Sequence, residues 1–211
     1  MSGVQIAKYL GITLTDELSW SSHVHWIHSR AKSTLGFLIG TFDAVLPNLK
    51  RLYVYITLVR STLEYAASIW DHHLAKDCDL LEKLERRSAS FVKGDYRTTS
   101  CVSQMLHDLG WCDLKDRRRD LRLALLYKIV TGHVAINPDQ IGLVAADSRT
   151  RANHIYKSRA IGATWTGLRY SFAVRTVSDW NQLPAVVVEQ ENPASFKAQL
   201  ARSAPVACGI P

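Results

Sequence analysis

The stretch that decides the fold is "RLYVYITLVRSTLEYAASIW", residues 51–70. Leu52, Ile56, Val59, Leu63, Ala67 and Trp70 recur at three- and four-residue steps along it. That period puts them on one side of an amphipathic helix, with polar residues opposite. Pro47 stands where such a helix begins, because its fixed φ suits the first turn and its missing N–H costs nothing there. Upstream, Val24, Ile27, Ala31, Leu35 and Leu38 repeat the pattern. Ser21 or Ser22 is placed to cap that helix, and Gly40 to end it. Downstream, Leu80, Leu81, Leu84, Ser88 or Ala89, and Phe91 or Val92 predict a helix from about Asp77 to Val92. A short helix from Ser100 is stopped by Gly110. A longer one is capped by Asp113, with Asp116 in its first turn. Leu114, Leu121, Leu125 and Ile129 form its apolar side, and Gly132 ends it.

The flanks differ. Ile6, Tyr9, Leu10, Ile12 and Leu14 suggest a strand or hairpin arm with Gly11 at a bulge or turn. Residues 133–168 have weak periodicity and read as loop with small ordered pieces. Leu168, Tyr170 and Phe172, or Phe172 and Val174, fit a short strand. A short helix is expected from Thr176 to Leu183, stopped by Pro184, and "PASFKAQL" (193–200) opens another with its proline. The expected fold is mainly α: a helical bundle after a short strand arm, with a small mixed C-terminal region. Its divisions are 1–20, 21–132 and 133–211.

The most site-like stretch is "SIWDHHLAKDCD", residues 68–79, with two histidines, three aspartates and a cysteine. Adjacent His72 and His73 point about 100° apart on a helix and oppositely on a strand, so they do not readily share one ion. Asp77 or Asp79 suits the start of a helix, and the stretch reads as a helix-to-helix turn. His25 and His28 share a helical face, but no HExxH arrangement surrounds them. Cys78, Cys101, Cys112 and Cys208 make no CxxC pair and are expected to be reduced thiols. There is no GxSxG elbow and no phosphate loop of Walker or dinucleotide type. No run of 18 apolar residues predicts a membrane span.

Charge is more informative. The chain carries a net +7. Between residues 149 and 175 stand Arg149, Arg151, Lys157, Arg159, Arg169 and Arg175, with no Asp or Glu among them. Tyr156, Trp165, Tyr170 and Phe172 are interleaved. Cations that track a phosphate backbone, with rings on which bases stack, make this pattern a nucleic-acid candidate. Lys115, Arg117, Arg118, Arg119 and Arg122 form a second cluster, mixed with Asp113, Asp116 and Asp120. A solvated face is the plainer reading there. Trp180, with Leu183 and Pro184 closing its helix, reads as a packing plug. Trp20, Trp70 and Trp111 stand at element ends, where they can lock helices together.

Four segments carry a resemblance. "KYLGITLTDELSWSSHVHWI" resembles the segment after the palm in reverse transcriptases of non-LTR retrotransposons of the LINE and jockey-like class. "LVRSTLEYAASIWDHHL" with "LEKLERRSASFVKGDY" is similar to the thumb-side region of those proteins. "LGWCDLKDRRRDLRLALLYKIVTG" and "RTVSDWNQLP" are similar to their later blocks, in the same order. The resemblance implies a thumb and post-thumb region of an RNA-directed DNA polymerase. The family's chemistry uses Mg2+ held by palm aspartates. This chain has no Asp-Asp dipeptide, so no polymerisation is expected of it alone, and the palm aspartates are expected upstream of Met1. No catalytic residue, cofactor or metal is expected in it.

The helices from about 21 to 131 would be thumb-like and hold template–primer duplex. The resemblance makes Lys83, Arg86, Arg87, Lys93 and Arg97 candidates around one helix and its turn, and Arg117, Arg118 and Arg122 on another. Arg149, Arg151, Arg159 and Arg169 would meet RNA or target DNA. The implied partners are RNA or RNA–DNA duplex, the palm and fingers region, and further copies of the chain, inside the cell in nucleus or cytoplasm. The alternative is a structural or protein-interaction remnant with no specific nucleic-acid binding.

Overall fold

A computed structural model describes residues 6–17, 19–43, 45–144, 154–159, 162 and 169–203. The expected class holds: the chain is mainly helical behind a short two-stranded arm. It divides into two compact units, Met1–Lys115 and Asp116–Pro211. The division falls inside the stretch read from sequence as one thumb-like domain, 21–132. The reason lies in the helix 114–130, whose later residues build the core of the second unit.

In the first unit, β1 (Ile6–Tyr9) pairs antiparallel with β2 (Ile12–Thr15), with Tyr9 opposite Ile12. Leu10 and Gly11 connect them with φ of 47° and 80°. Positive φ at both loop residues is what a tight hairpin of matching twist demands. Glycine takes it freely, whereas leucine is strained there. Helix α1 (Ser21–Phe42) buries Val24, Ile27, Ala31, Leu35 and Leu38, the expected stripe. It runs two residues past Gly40. The Ser21 hydroxyl does not cap it and bonds elsewhere.

The decisive stretch departs from one continuous helix. It comprises α2 (Asn48–Val54), a π-helical turn (Tyr55–Arg60), α3 (Ser61–Glu64) and α4 (Ala67–Trp70). Ala66, at φ 51°, breaks the run before α4. A π turn inserts extra residues per turn and so rotates the buried stripe. Val59, Leu63, Ala67 and Trp70 are buried as expected. Before the turn Arg51 is buried and Leu52 only half-buried, and at its start Tyr55 is buried and Ile56 only half-buried.

Helix α5 (Ala75–Lys93) buries Leu81, Leu84, Ser88, Ala89, Phe91 and Val92. At its C-terminus, Gly94 N–H donates to Phe91 O and Asp95 N–H to Ser90 O. This paired arrangement needs a left-handed residue, and Gly94 has φ 66°. The same pair of bonds closes α6 (Val102–Asp108) at Gly110 and α7 (Leu114–Val130) at Gly132. Glu82 on α5 accepts the Leu114 and Lys115 N–H groups at 3.1 and 2.9 Å, so a carboxylate meets the positive end of α7.

In the second unit, a 3-10 turn (Pro138–Ile141) precedes α8 (Phe172–Trp180), α9 (Ala185–Val188) and α10 (Pro193–Ser203). Helix α8 replaces the strand expected around Phe172 and Val174; Leu168 lies outside the described residues. The core joins Leu123, Leu126, Tyr127 and Ile129 to Val177, Trp180, Phe196 and Leu200. Tyr127 stacks on Phe196 with ring centroids 4.4 Å apart. Trp180 is fully buried, as read from sequence, and its Nε1–H donates to Tyr156 O at 2.9 Å. Asn181 bonds both N and O of Ser158 at 3.0 and 2.7 Å, which ties 154–159 to this helix. Among the described residues no helix is long and apolar enough to cross a membrane.

Candidate nucleic-acid interface

The apolar stripe of α5 fixes which cations face out. With Leu81, Leu84, Ser88 and Ala89 inward, Lys83, Arg86 and Arg87 are exposed. They stand at i, i+3 and i+4 and share one face. Arg86 Nη2 donates to Ser103 Oγ at 3.0 Å. Two further candidates direct their charge to a neighbouring acid. Lys93 Nζ lies 3.3 Å from Asp108 Oδ2. Arg97 grips Asp95 with Nε and Nη2 at 3.0 and 2.9 Å. The bonds from Arg97, then Ser100, hold the Asp95 carboxyl well below the usual carboxylate range.

The cluster on α7 requires correction. Arg118 and Arg122 are buried and do not face solvent phosphate. Arg122 donates to Thr176 Oγ1 at 3.2 Å and Asp179 Oδ2 at 3.1 Å, joining α7 to α8. Arg117 is half-buried and engaged by neighbours. In the later window Arg159 and Arg169 are exposed, whereas Arg149, Arg151 and Trp165 lie outside the described residues. Tyr156 and Phe172, read as stacking rings, pack against the second core instead.

The stretch 68–79 runs from α4 through the turn at 71–74 into α5. Asp77 sits in the first turn of α5, as expected, but its buried carboxylate serves a polar cluster. Oδ2 accepts the Ser21 hydroxyl at 2.7 Å and lies 2.9 Å from His72 Nε2. Ser21 Oγ is also 3.2 Å from that same nitrogen. A nucleophilic relay needs the nucleophile and the orienting acid on opposite ring nitrogens of the base. Here one nitrogen meets both partners, so the cluster is a tie between α1 and α5. Among the described residues no group of three or more His, Cys, Asp or Glu is arranged to hold a metal ion. Cys78 and Cys101 are free thiols, and Cys208 lies outside the described residues.

The structure adds residues that the sequence reading passed over. Helix α1 contains no Asp or Glu in its 22 residues. Trp26 on its outer side is 38% exposed. Lys8 Nζ and the Arg30 guanidinium lie over its ring at 5.7 and 5.5 Å from the centroid. The available signal was the run of polar and basic residues between the apolar positions of α1. The pairing with Lys8 depends on how the hairpin folds back.

Inside the unit a second cation–aromatic group locks the π turn. Arg60 is buried against the stacked rings of Tyr55 and Trp111, at 5.1 and 4.6 Å from their centroids, with Glu85 at 3.9 Å. Burial drives the Tyr55 hydroxyl pKa far up, with Glu85 adding to the shift, so the phenol stays neutral.

No family model, curated protein or solved structure matches the chain.

Proposed function

We propose that the chain is a non-catalytic, thumb-like module that binds RNA or RNA–DNA duplex, of the kind its sequence resembles in non-LTR reverse transcriptases. The observation that carries this reading is the exposed triplet Lys83, Arg86 and Arg87 on one face of α5. Three adjacent cations on a rigid helix present a fixed spacing to phosphates, and each contact releases a counterion. The acid-free helix α1, with Arg30 and Lys32 exposed, adds to the same charge. The chain lacks the Asp-Asp pair that the family's metal chemistry uses, so binding is proposed without polymerisation.

The test is fluorescence anisotropy on a labelled RNA–DNA duplex at several salt concentrations. Wild type should bind with a steep salt dependence. The triple variant Lys83→Glu, Arg86→Glu, Arg87→Glu should bind at least tenfold more weakly. Losing three phosphate contacts should also lower the slope of log K against log[salt] by roughly 2–3. Equal affinity and equal slope in the variant would overturn the reading. A primer-extension assay with Mg2+ should show no incorporation.

A second reading is favoured by one observation. Phe37, Val45, Leu49 and Tyr53 are each more than 60% exposed in the first unit. Exposed apolar groups of this size suit a protein-facing surface. A structural or protein-interaction remnant would self-associate on dilution-sensitive sedimentation and bind duplex with little salt dependence.

A further inference from the structure

A cavity of about 440 Å³ opens in the first unit between the hairpin tip, α1 and the residues around the end of α3. Its size falls within the range of ligand pockets. Three features give its walls a chemical character. First, Trp26 and Arg30 line it, with Lys8 beside the same indole. Second, Tyr65 also lines it. Its hydroxyl donates to Leu10 O at 3.0 Å and so braces the strained Leu10 backbone. Third, His23 lines the cavity while 1% exposed. Its Nδ1 accepts the Thr13 N–H at 3.3 Å, so in the neutral ring Nε2 carries the proton. That buried Nε2 has no hydrogen-bond partner. Burial lowers the His23 pKa, which keeps the ring neutral near pH 7.

Two cations flanking one aromatic ring suit a ligand that is both planar and anionic. An anionic group would draw Arg30 and Lys8 off the indole and leave its face to a flat ring. We infer that this cavity takes a nucleoside phosphate unit, with the base against Trp26 and the phosphate at Arg30 and Lys8. The unit is either a free nucleotide or an unpaired nucleotide of a strand. The inference rests on the nucleic-acid reading for its class of ligand, but it uses residues apart from the α5 triplet.

Isothermal titration of the full chain with AMP, a single-stranded adenylate octamer and inorganic phosphate tests it. A blunt RNA–DNA duplex is measured in parallel. AMP or the octamer should bind saturably, and inorganic phosphate should not. Binding by AMP identifies a free-nucleotide site, and binding by the octamer alone identifies a strand-borne one. Trp26→Ala should weaken binding about tenfold or more, since stacking on one aromatic carries about that much. Trp26→Phe should retain most of it, and Arg30→Gln should weaken it several-fold. Trp26 is partly exposed, and thermal melts should match wild type. Absence of binding by both nucleotide probes overturns the inference, as does unchanged affinity in Trp26→Ala or equal binding by phosphate. If blunt duplex still binds in that case, this inference alone has failed. If duplex binding is absent as well, the nucleic-acid reading has failed with it.

Discussion

The fate of the arginines shows what a single residue owes to its surroundings. Arg86 and Arg122 are both basic residues on long helices, yet one faces water and the other is buried against Asp179 and Thr176. Removing a buried charge strands its partner, so Arg122→Ala should cost about 3 kcal/mol in urea unfolding. Arg86→Ala should stay within about 0.5 kcal/mol. A ranking in the opposite order would refute the assignment of structural and surface roles. Histidines give a pH signature. Burial lowers the pKa of His23 and of His154 in the folded chain. Below about pH 6.5 the unfolded chain therefore binds protons that the folded one does not, and stability falls as pH drops. Denaturant midpoints should decline from pH 7 to pH 5, and less so in His154→Gln. A flat profile would remove these groups from the account. The sequence exposed neither fact, because the environment of both residues comes from chain segments far away in sequence.

Elements were more legible, in proportion to how local their causes are. The stripe of α1 was readable because burial follows a period of 3.6 that neighbouring residues express among themselves. The stops at Gly110 and Gly132 were readable for a similar reason, since a left-handed residue favours glycine. The same geometry yields a prediction for α5. A Cβ on Gly94 would lie 2.6 Å from Arg51 Nη1, at a φ that side chains resist. Arg51 itself bonds the carbonyls of Leu46 and Phe91, so it has little room to yield. Gly94→Ala should therefore destabilise by about 1–2 kcal/mol, read as a lowered Tm. An unchanged Tm would mean that Arg51 moves freely. The π turn escaped the sequence reading. Its cause is the burial of Tyr55 and Arg60 against Trp111 and Glu85, contacts made from another part of the chain. The same holds for α8, whose first residues Phe172 and Val174 alternate and were read as part of a short strand.

At the scale of the molecule, each unit is held by its own core. In the second, Trp180 meets Phe196 and His154, and supports the loop through Tyr156 O. Trp180→Ala should cost about 3–5 kcal/mol, the range for emptying a packed aromatic site. A loss under 1 kcal/mol would contradict its place at the centre of that core. Trp180 was recognised as a packing residue from its position before Leu183 and Pro184, although the loop it anchors was not. The division of the chain was read near residue 133 and lies at Lys115/Asp116. The weak apolar period of α7 concealed that its later turns serve the second core. By itself, the sequence determined the helical class, the hairpin arm, the cadence of the long helices and the net positive charge. Those features follow from composition and from spacings of a few residues. The tertiary structure alone decided which cations remain at the surface and which are buried. It also set the phase of the π turn and brought Lys8, Trp26 and Arg30 together around one ring. The physical reason is that burial and charge pairing depend on contacts between distant segments, which no local period records.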